Sequence, residues 1–320
     1  MKEIGGYFAL EEFHGNEYHE GLVAVNSGRN ALLYIVIAKN IKKLYLPYYL
    51  CDAISKLCEK NDIQYEFYHI DIKFKPILEK DIEHDASVYI VNYFGQLSKD
   101  DIYIYKEKYK NIIVDNAHAF FEKPLNGIDT VYTCRKFFGV SDGGYLSTNI
   151  ILNDLDQSDI SKDRFIHILG RYEENASAYY SYFQQVEEVF YNLPLKYMSK
   201  LTRNLLRGIN YNSIAKQRQE NFAFLHSALK SRNKLDLKIP YGAFMYPFMI
   251  DNGMEVRKKL QQMKIYIPTL WPNVLEECKP DTLEYKLAAD ILPIPVDQRY
   301  GIEDMKYLAE VIKNVSTERA

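Results

Sequence analysis

Residues 131–146, VYTCRKFFGVSDGGYL, decide how the rest of the sequence is interpreted. The stretch begins as an apolar, β-prone run and reaches the basic pair Arg135 and Lys136. Two phenylalanines and then the pair Gly143 and Gly144 follow. A strand that ends in a lysine and continues into a glycine-rich turn predicts an amine at the carboxyl edge of a sheet. Open α/β folds bind their ligands at that edge.

A second short strand of buried type precedes this stretch and ends in an acid. Residues 112–118 read IIVDNAH, so that Asp115 follows three branched apolar residues. Asp115 and Lys136 are therefore predicted at the ends of neighbouring strands. Pyridoxal 5′-phosphate (PLP) needs this pair, because a lysine forms the Schiff base and a carboxylate keeps the pyridine nitrogen protonated.

Upstream, strands and helices alternate with short connections from residue 22 to residue 146. This alternation predicts an α/β fold with a mostly parallel sheet covered by helices. The first unit contains a strand, the turn Ser27-Gly28-Arg29, and an apolar helix. Such a turn offers free backbone N–H groups to a phosphate, although a serine before a helix is more often an ordinary helix cap.

Two motifs carry a resemblance to a known family. Residues 115–119, DNAHA, resemble its D-A-A-H/Q-A element, and Lys136 with Gly139, Gly143 and Gly144 resembles its K-N-x-G-x-x-x-G-G element. The sequence thus resembles, as a divergent member, the DegT/DnrJ/EryC1/StrS family of PLP-dependent sugar aminotransferases. The resemblance implies the fold of fold-type-I PLP enzymes, with a smaller C-terminal α/β domain.

The resemblance implies three catalytic residues. Lys136 forms the internal aldimine with PLP and moves the proton between the donor's Cα and the cofactor. Asp115 holds the ring nitrogen protonated, and His118 hydrogen-bonds the 3′ oxygen. Retention of Lys136 argues against the family's dehydratase branch, in which a histidine replaces the lysine.

Further cofactor contacts follow from the same resemblance. Ser27, Gly28 and Arg29 occupy the place of the family's phosphate-binding S-G-T, with arginine where threonine is usual. Thr133 is expected to assist through its hydroxyl group. No metal site is expected.

Aromatic and polar residues complete the expected pocket. Tyr49 is the candidate for stacking on the cofactor ring and Tyr48 is the alternative; packing of both on a neighbouring helix is about as plausible. Tyr93 and Gln96 are expected to face the substrate. Asn210 is expected either to reach a partner's active site or to cap a helix.

Composition excludes several classes of protein. The formal charge is -3, from 40 basic and 43 acidic residues, which gives no basic excess for nucleic acid. No apolar run is long enough to span a bilayer, and the N-terminal segment has no signal-peptide core. The four cysteines lack metal-type spacing, which favours reduced thiols in a cytoplasmic protein.

The chain is expected to form two domains. Residues 1–204 form the large PLP-binding domain with an N-terminal arm, and residues 205–320 form the small domain. Residues 172–191 read as one long amphipathic helix, and the resemblance places it at the interface of a homodimer with shared active sites. Lys216 and Arg218 are predicted to lie on a solvated face.

The expected activity is transfer of an amino group from glutamate to a keto-sugar nucleotide. One alternative, a nicotinamide-dependent oxidoreductase, lacks the G-x-G-x-x-G turn that it needs after the first strand. The second alternative is a protein of PLP fold without aminotransferase activity, which acts as a binding or assembly component in polysaccharide synthesis.

Overall fold

The computed structural model describes residues 4–317 of the chain. The strands are β1 Val23–Val25, β2 Lys43–Pro47, β3 Gln64–Ile70, β4 Pro76–Ile77, β5 Ala86–Val91, β6 Ile112–Asp115, β7 Asp129–Thr133, β8 Gly144–Ser147, β9 Met245–Met249 and β10 Ile291–Pro295. The helices are α1 Gly28–Lys39, α2 Asp52–Lys60, α3 Lys99–Tyr109, α4 Ile166–Glu173, α5 Tyr180–Asn192, α6 Lys200–Arg207, α7 Tyr211–Leu229, α8 Gly253–Gln262, α9 Val274–Glu277, α10 Leu283–Asp290 and α11 Ile302–Thr317.

Eight strands form one mixed sheet in the order β1-β8-β7-β6-β5-β2-β3-β4. The five central strands from β7 to β3 run parallel, whereas β8 and β4 run antiparallel to their neighbours. Every residue of β5 and β6 is buried, as expected for strands whose two faces are both covered. The predicted fold class, α/β with a mostly parallel sheet flanked by helices, is confirmed.

The sheet brings three chain segments to the same carboxyl edge. Asp115 ends β6 and pairs with Val131 of β7, so these strands are parallel neighbours as predicted. Gly144 of β8 lies between Val25 of β1 and Thr133 of β7, because it pairs with both. Strand β8 runs antiparallel to both β1 and β7, so β1 and β7 end at the same edge of the sheet. The start of α1 follows β1, and the loop that contains Lys136 follows β7. The two segments therefore lie side by side.

Glycines at positions 143 and 144 permit this close approach. Gly143 has a φ of 115°, a backbone conformation that L side chains rarely adopt. A Cβ atom at Gly144 would lie 2.7 Å from the carbonyl group of Ser27 and 2.8 Å from the amide nitrogen of Gly28. Any side chain at position 144 would therefore push β8 away from the N-terminus of α1.

A second, two-stranded antiparallel sheet of β10 and β9 lies in the C-terminal part. Helix α7 packs on β9 and on α11. Residues 265–268 form no strand: the segment pairs with no strand of the described chain, and it follows Lys264, whose φ is 60°.

Two helix predictions also differ from the structure. The single helix expected over residues 172–191 is divided into α4 and α5, because Glu174 leaves the helical conformation with φ -129° and ψ -99°. Arg218 is not on a solvated face: it lies on the same side of α7 as the buried residues Ala215 and Phe222, whereas Lys216 is exposed.

None of the helices in residues 4–317 combines the length and the apolar character that crossing a bilayer requires.

Candidate active site

Lys136 lies just beyond the end of β7, and its Nζ atom is 5.5 Å from the centroid of the Phe244 ring. The residue is exposed, and the protein atoms packed around its ammonium group desolvate that group in part. This desolvation lowers the pKa of Lys136, while the carboxylate of Asp115 acts in the opposite direction. Nζ has no hydrogen-bond partner among the described residues, so the amine is free to react.

Asp115 presents a buried carboxylate to this amine. Its Oδ1 atom accepts a hydrogen bond of 2.7 Å from the Ala117 amide. Burial raises the pKa of Asp115, and the charge of Lys136, the Ala117 amide and the Tyr89 hydroxyl lower it. A carboxylate held in this way can keep a ring nitrogen protonated.

His118 is buried between aromatic rings beside Lys136. Its ring stacks on Phe244 at 4.3 Å and lies parallel to Trp271 at 5.4 Å. Burial and the charge of Lys136 lower the pKa of His118 well below its usual value, so the imidazole is neutral. Neither ring nitrogen has a hydrogen-bond partner in the described chain, so both are available to a ligand.

Two of the aromatic residues around His118 have unusual backbone conformations. Phe94, whose ring lies 5.3 Å from His118, has a φ of 52°, and Trp271 has a φ of 56°. Left-handed backbone at bulky residues costs of order 1–3 kcal/mol and clusters at functional sites. The packing around His118 therefore holds Phe94 and Trp271 in backbone conformations that are unfavourable by themselves.

An anion cradle lies at the start of α1. Ser27 caps the helix through its Oγ, which accepts from the Asn30 amide at 3.1 Å, whereas the amides of Gly28 and Arg29 make no hydrogen bond with described residues. Atoms Cβ and Oγ1 of Thr133 lie only 3.3 Å and 3.8 Å from the position that a Gly28 Cβ would take. Free N–H groups, the helix dipole and a nearby hydroxyl suit a phosphate.

The guanidinium of Arg29 adds charge to this cradle. It lies 4.9 Å from the centroid of the Tyr191 ring in α5 and makes no hydrogen bond or ion pair with the described residues. Burial lowers the pKa of Arg29. Its neighbour Arg135 is instead occupied, since it pairs with Glu187 and lies 3.8 Å from the centroid of the Phe190 ring.

Of the two candidate stacking residues, Tyr49 lies in the aromatic cluster and Tyr48 does not. Tyr49 is fully buried and contacts Trp271 edge-on at 4.5 Å, whereas Tyr48 stacks on Phe67 of β3 at 4.9 Å. The Tyr49 hydroxyl lies 3.4 Å from the carbonyl oxygen of Leu287, to which it donates. Tyr49 therefore helps to hold Trp271, and stacking of Tyr49 on a cofactor stays a prediction.

The three expected substrate residues are occupied by other contacts. The Tyr93 hydroxyl donates to the Tyr49 carbonyl, and Gln96 exchanges two hydrogen bonds with the backbone of Lys238. Asn210 caps α7 by accepting from the Ser213 amide at 3.1 Å. None of the three shares a hydrogen bond or ring contact with Lys136, Asp115 or His118 within residues 4–317.

Sequence reasoning missed Phe244, Trp271 and Arg218 as neighbours of the site. Phe244 and Trp271 come from the C-terminal part, more than one hundred residues after Lys136, and no local motif marks them. The only signal was that Trp271 is the single tryptophan of the chain. No group of three or more potential metal-binding side chains forms within the described residues.

The site supplies what PLP requires at each of its functional groups. Lys136 supplies an amine for the aldehyde, Asp115 a carboxylate for the ring nitrogen, and His118 an unpartnered nitrogen for the ring oxygen. The start of α1, with Arg29, suits the phosphate. The residues present therefore fit this cofactor.

Comparisons with known proteins agree with the fold. No family model matches the sequence, and no curated protein matches it either. Among solved structures, a DegT DnrJ EryC1 StrS aminotransferase from Brucella abortus matches with TM-score 0.63 and 15% identity over 93% of this chain and 87% of that chain. S. venezuelae DesV, in complex with a ketimine intermediate, matches with TM-score 0.64 and 14% identity over 93% and 85%.

NtdA from Bacillus subtilis, with bound cofactor PMP, matches with TM-score 0.66 and 13% identity over 96% of this chain and 79% of that chain. The sequence identities are low, so what this chain shares with these proteins is the fold, over more than nine-tenths of its length. The family to which the sequence motifs point is also the one that these structures represent. The chain therefore has the fold of the DegT/DnrJ/EryC1/StrS aminotransferases.

Proposed function

We propose that this protein is a PLP-dependent aminotransferase. The observation that carries the proposal is the arrangement of Lys136, Asp115 and the unpartnered His118 beside the N-terminus of α1. An amine, a carboxylate and an imidazole lie there together, beside a helix N-terminus whose free N–H groups suit a phosphate. The fold supports this reading, because the aminotransferases above share it.

Each residue has a distinct part in this mechanism. When bound, PLP supplies an electron sink that stabilises negative charge on the donor's Cα. Lys136 Nζ binds the cofactor and then moves the proton at Cα, for which its lowered pKa is suited. Asp115 holds the proton on the ring nitrogen, and His118 binds the ring oxygen and excludes water from that side.

We further propose that the acceptor is a keto-sugar nucleotide and the donor is glutamate. Support for a sugar acceptor comes from a further structural neighbour, the sugar aminotransferase CalS13 from Micromonospora echinospora. A cytoplasmic homodimer completes the proposal. Its support is the apolar surface of α4 and α5, where Leu169, Tyr172 and Tyr180 are each more than half exposed.

The test is covalent trapping of the cofactor. PLP added to the purified protein should give a visible absorption band, and borohydride should then fix the label on the peptide that contains Lys136. Lys136→Ala should lose both, whereas Lys216→Met, an exposed lysine on α7, should lose neither. Loss of the band on adding glutamate, with an amino group delivered to a keto-sugar nucleotide, would support the full proposal.

Other outcomes separate the alternatives. A band without any glutamate response would favour a PLP-binding component without transferase activity. Absence of the band, or a label scattered over surface lysines, would contradict the PLP proposal itself.

A further inference from the structure

A buried arginine binds the loop that contains Lys136. Arg218 in α7 is only 1% exposed, and its Nη2 donates to the carbonyl oxygen of Phe137 at 3.1 Å. The same carbonyl accepts from Nε2 of Gln298 at 2.8 Å. The carbonyl group of the residue that follows Lys136 therefore receives two hydrogen bonds from the C-terminal part of the chain.

The same guanidinium also binds the segment that carries Phe244. Its Nη1 lies 3.0 Å from the carbonyl oxygen of Ala243 and 3.4 Å from that of Phe244. The Phe244 ring in turn faces Lys136 Nζ at 5.5 Å and His118 at 4.3 Å. Arg218 thus holds two backbone segments that border the reactive amine.

Gln298 completes the arrangement. Its Oε1 accepts from Arg218 Nε at 2.8 Å, so the amide joins the arginine and the Phe137 carbonyl in one closed set of hydrogen bonds. A guanidinium is planar and its donors have fixed directions, which fixes the separation of the groups that it binds. Burial lowers the pKa of Arg218 to about 10, so the group stays charged and keeps all its donors at neutral pH.

We infer that Arg218 and Gln298 are positioning residues that set where Lys136 stands relative to Phe244 and His118. Neither side chain shares a hydrogen bond with the Lys136 amine; both act through the carbonyl group of Phe137, the residue that follows it. The inference rests on the proposed function to the extent that Lys136 is the reactive lysine.

Two variants separate positioning from simple structural support. Gln298→Met keeps the length of the side chain and adds no charge, but removes both the acceptor for Arg218 Nε and the donor to the Phe137 carbonyl. Arg218→Lys keeps the positive charge on a single nitrogen atom, but loses the planar array of three donor nitrogens that reaches Gln298, Ala243 and Phe137. Lys216→Met, on the exposed face of the same helix, is the matched control.

The readout is the chemistry of Lys136 rather than enzymatic turnover. In the cofactor-free protein, the rate at which an amine-reactive reagent labels Lys136 is measured by peptide mass spectrometry across a pH series. In the PLP-loaded protein, the pH midpoint of the visible band is measured. We expect Gln298→Met, which adds no charge of its own near Lys136, to shift both midpoints by about half a unit or more relative to Lys216→Met. Arg218→Lys should shift them in the same direction.

The opposite result overturns the inference. If both variants lower only the melting temperature and leave the two midpoints equal to those of Lys216→Met, Arg218 and Gln298 merely support the fold. Failure of the proposed function is recognised separately: wild-type protein would then show no visible band with PLP. The labelling series in the cofactor-free protein would still decide the positioning role.

Discussion

At the scale of single residues, the Lys136 amine is subject to two opposing influences. Desolvation favours its neutral form, and the nearby carboxylate of Asp115 favours its charged form. Desolvation is the larger influence, so the amine loses its proton at a lower pH than an ordinary lysine. A nucleophile must be unprotonated to attack a carbonyl carbon, so the lowered pKa of Lys136 increases the fraction of the amine that can react.

Removing the carboxylate should therefore change Lys136 in a defined direction. We expect Asp115→Asn to lower the pKa of Lys136 further, because the favourable charge interaction is lost. The measurement is the pH midpoint for labelling of Lys136 in the cofactor-free protein. Asp129→Asn, which removes a carboxylate paired with Lys39 instead, should leave the midpoint unchanged. A midpoint that rises in Asp115→Asn would contradict this account.

Residues marked by a local pattern could be predicted from the sequence, and residues brought in by tertiary structure could not. Asp115 ends β6 and Lys136 lies just beyond the end of β7, and strand ends are visible in the pattern of apolar residues. Phe244 faces Lys136 only because the C-terminal part folds back onto the sheet edge. Arg218 was misassigned because a charged residue in a polar helix is usually exposed, whereas here backbone carbonyls satisfy its donors.

At the scale of elements, the contact between β8 and the start of α1 controls the geometry of the anion cradle. Gly144 lets the strand lie directly against Ser27 and Gly28. The groups that it faces are backbone atoms, which cannot rotate out of the way. The position of β8 therefore fixes the direction of the free amides.

Gly144→Ala should disturb both stability and phosphate binding. The added Cβ would meet backbone atoms at 2.7 Å, and we expect a loss of about 1–3 kcal/mol in the free energy of unfolding. PLP should also bind more weakly, because the cradle moves. Urea denaturation and PLP titration measure the two effects.

The control comes from the same loop. Gly139→Ala places a Cβ in ordinary contact with Ile168 at 3.6 Å and should change neither quantity appreciably. Equal behaviour of the two variants would contradict the role given to Gly144.

The division between α4 and α5 shows why element boundaries escape a sequence pattern. Residues 172–191 keep an amphipathic character across the break, so periodicity continues where the helix does not. Asn175 helps to form the break, since its Oδ1 accepts from the Ala178 amide at 3.0 Å. Local side-chain hydrogen bonds of this kind compete with the helix, and a hydrophobic pattern does not register them.

At the scale of the whole molecule, buried neutral histidines connect stability to pH. Burial lowers the pKa of His19 to about 3, and that of His118 also falls well below its usual value. The unfolded chain takes up protons at these histidines below about pH 6.5, and the folded chain does not. Stability that is present above pH 6.5 is therefore lost as the pH falls from there toward 3.

His19→Phe should make this loss shallower. Each buried histidine contributes a slope of about 1.4 kcal/mol per pH unit, and the variant removes one of them while keeping aromatic packing against Tyr132. Urea denaturation between pH 7 and pH 4 measures the slope. His14→Phe, at an exposed position, should keep the wild-type slope. The same slope in all three proteins would show that His19 does not carry this pH dependence.

The order of strands and helices up to β8 could be predicted, whereas the C-terminal part could be predicted only coarsely. Parallel strands alternating with helices leave a strong pattern, and short connections limit the arrangements that they can take. The β9–β10 pair joins segments more than forty residues apart, and nothing local specifies that pairing. The division at residues 204 and 205 stays a prediction.

The placement of Trp271 has an optical consequence. Because it is the only tryptophan in the sequence, all tryptophan fluorescence of this protein originates beside His118 and Tyr49. A chromophore bound at Lys136 would lie close enough to quench that emission by energy transfer. The protein thus carries a native fluorophore at its candidate active site, and its emission can report occupancy of the site without an attached dye.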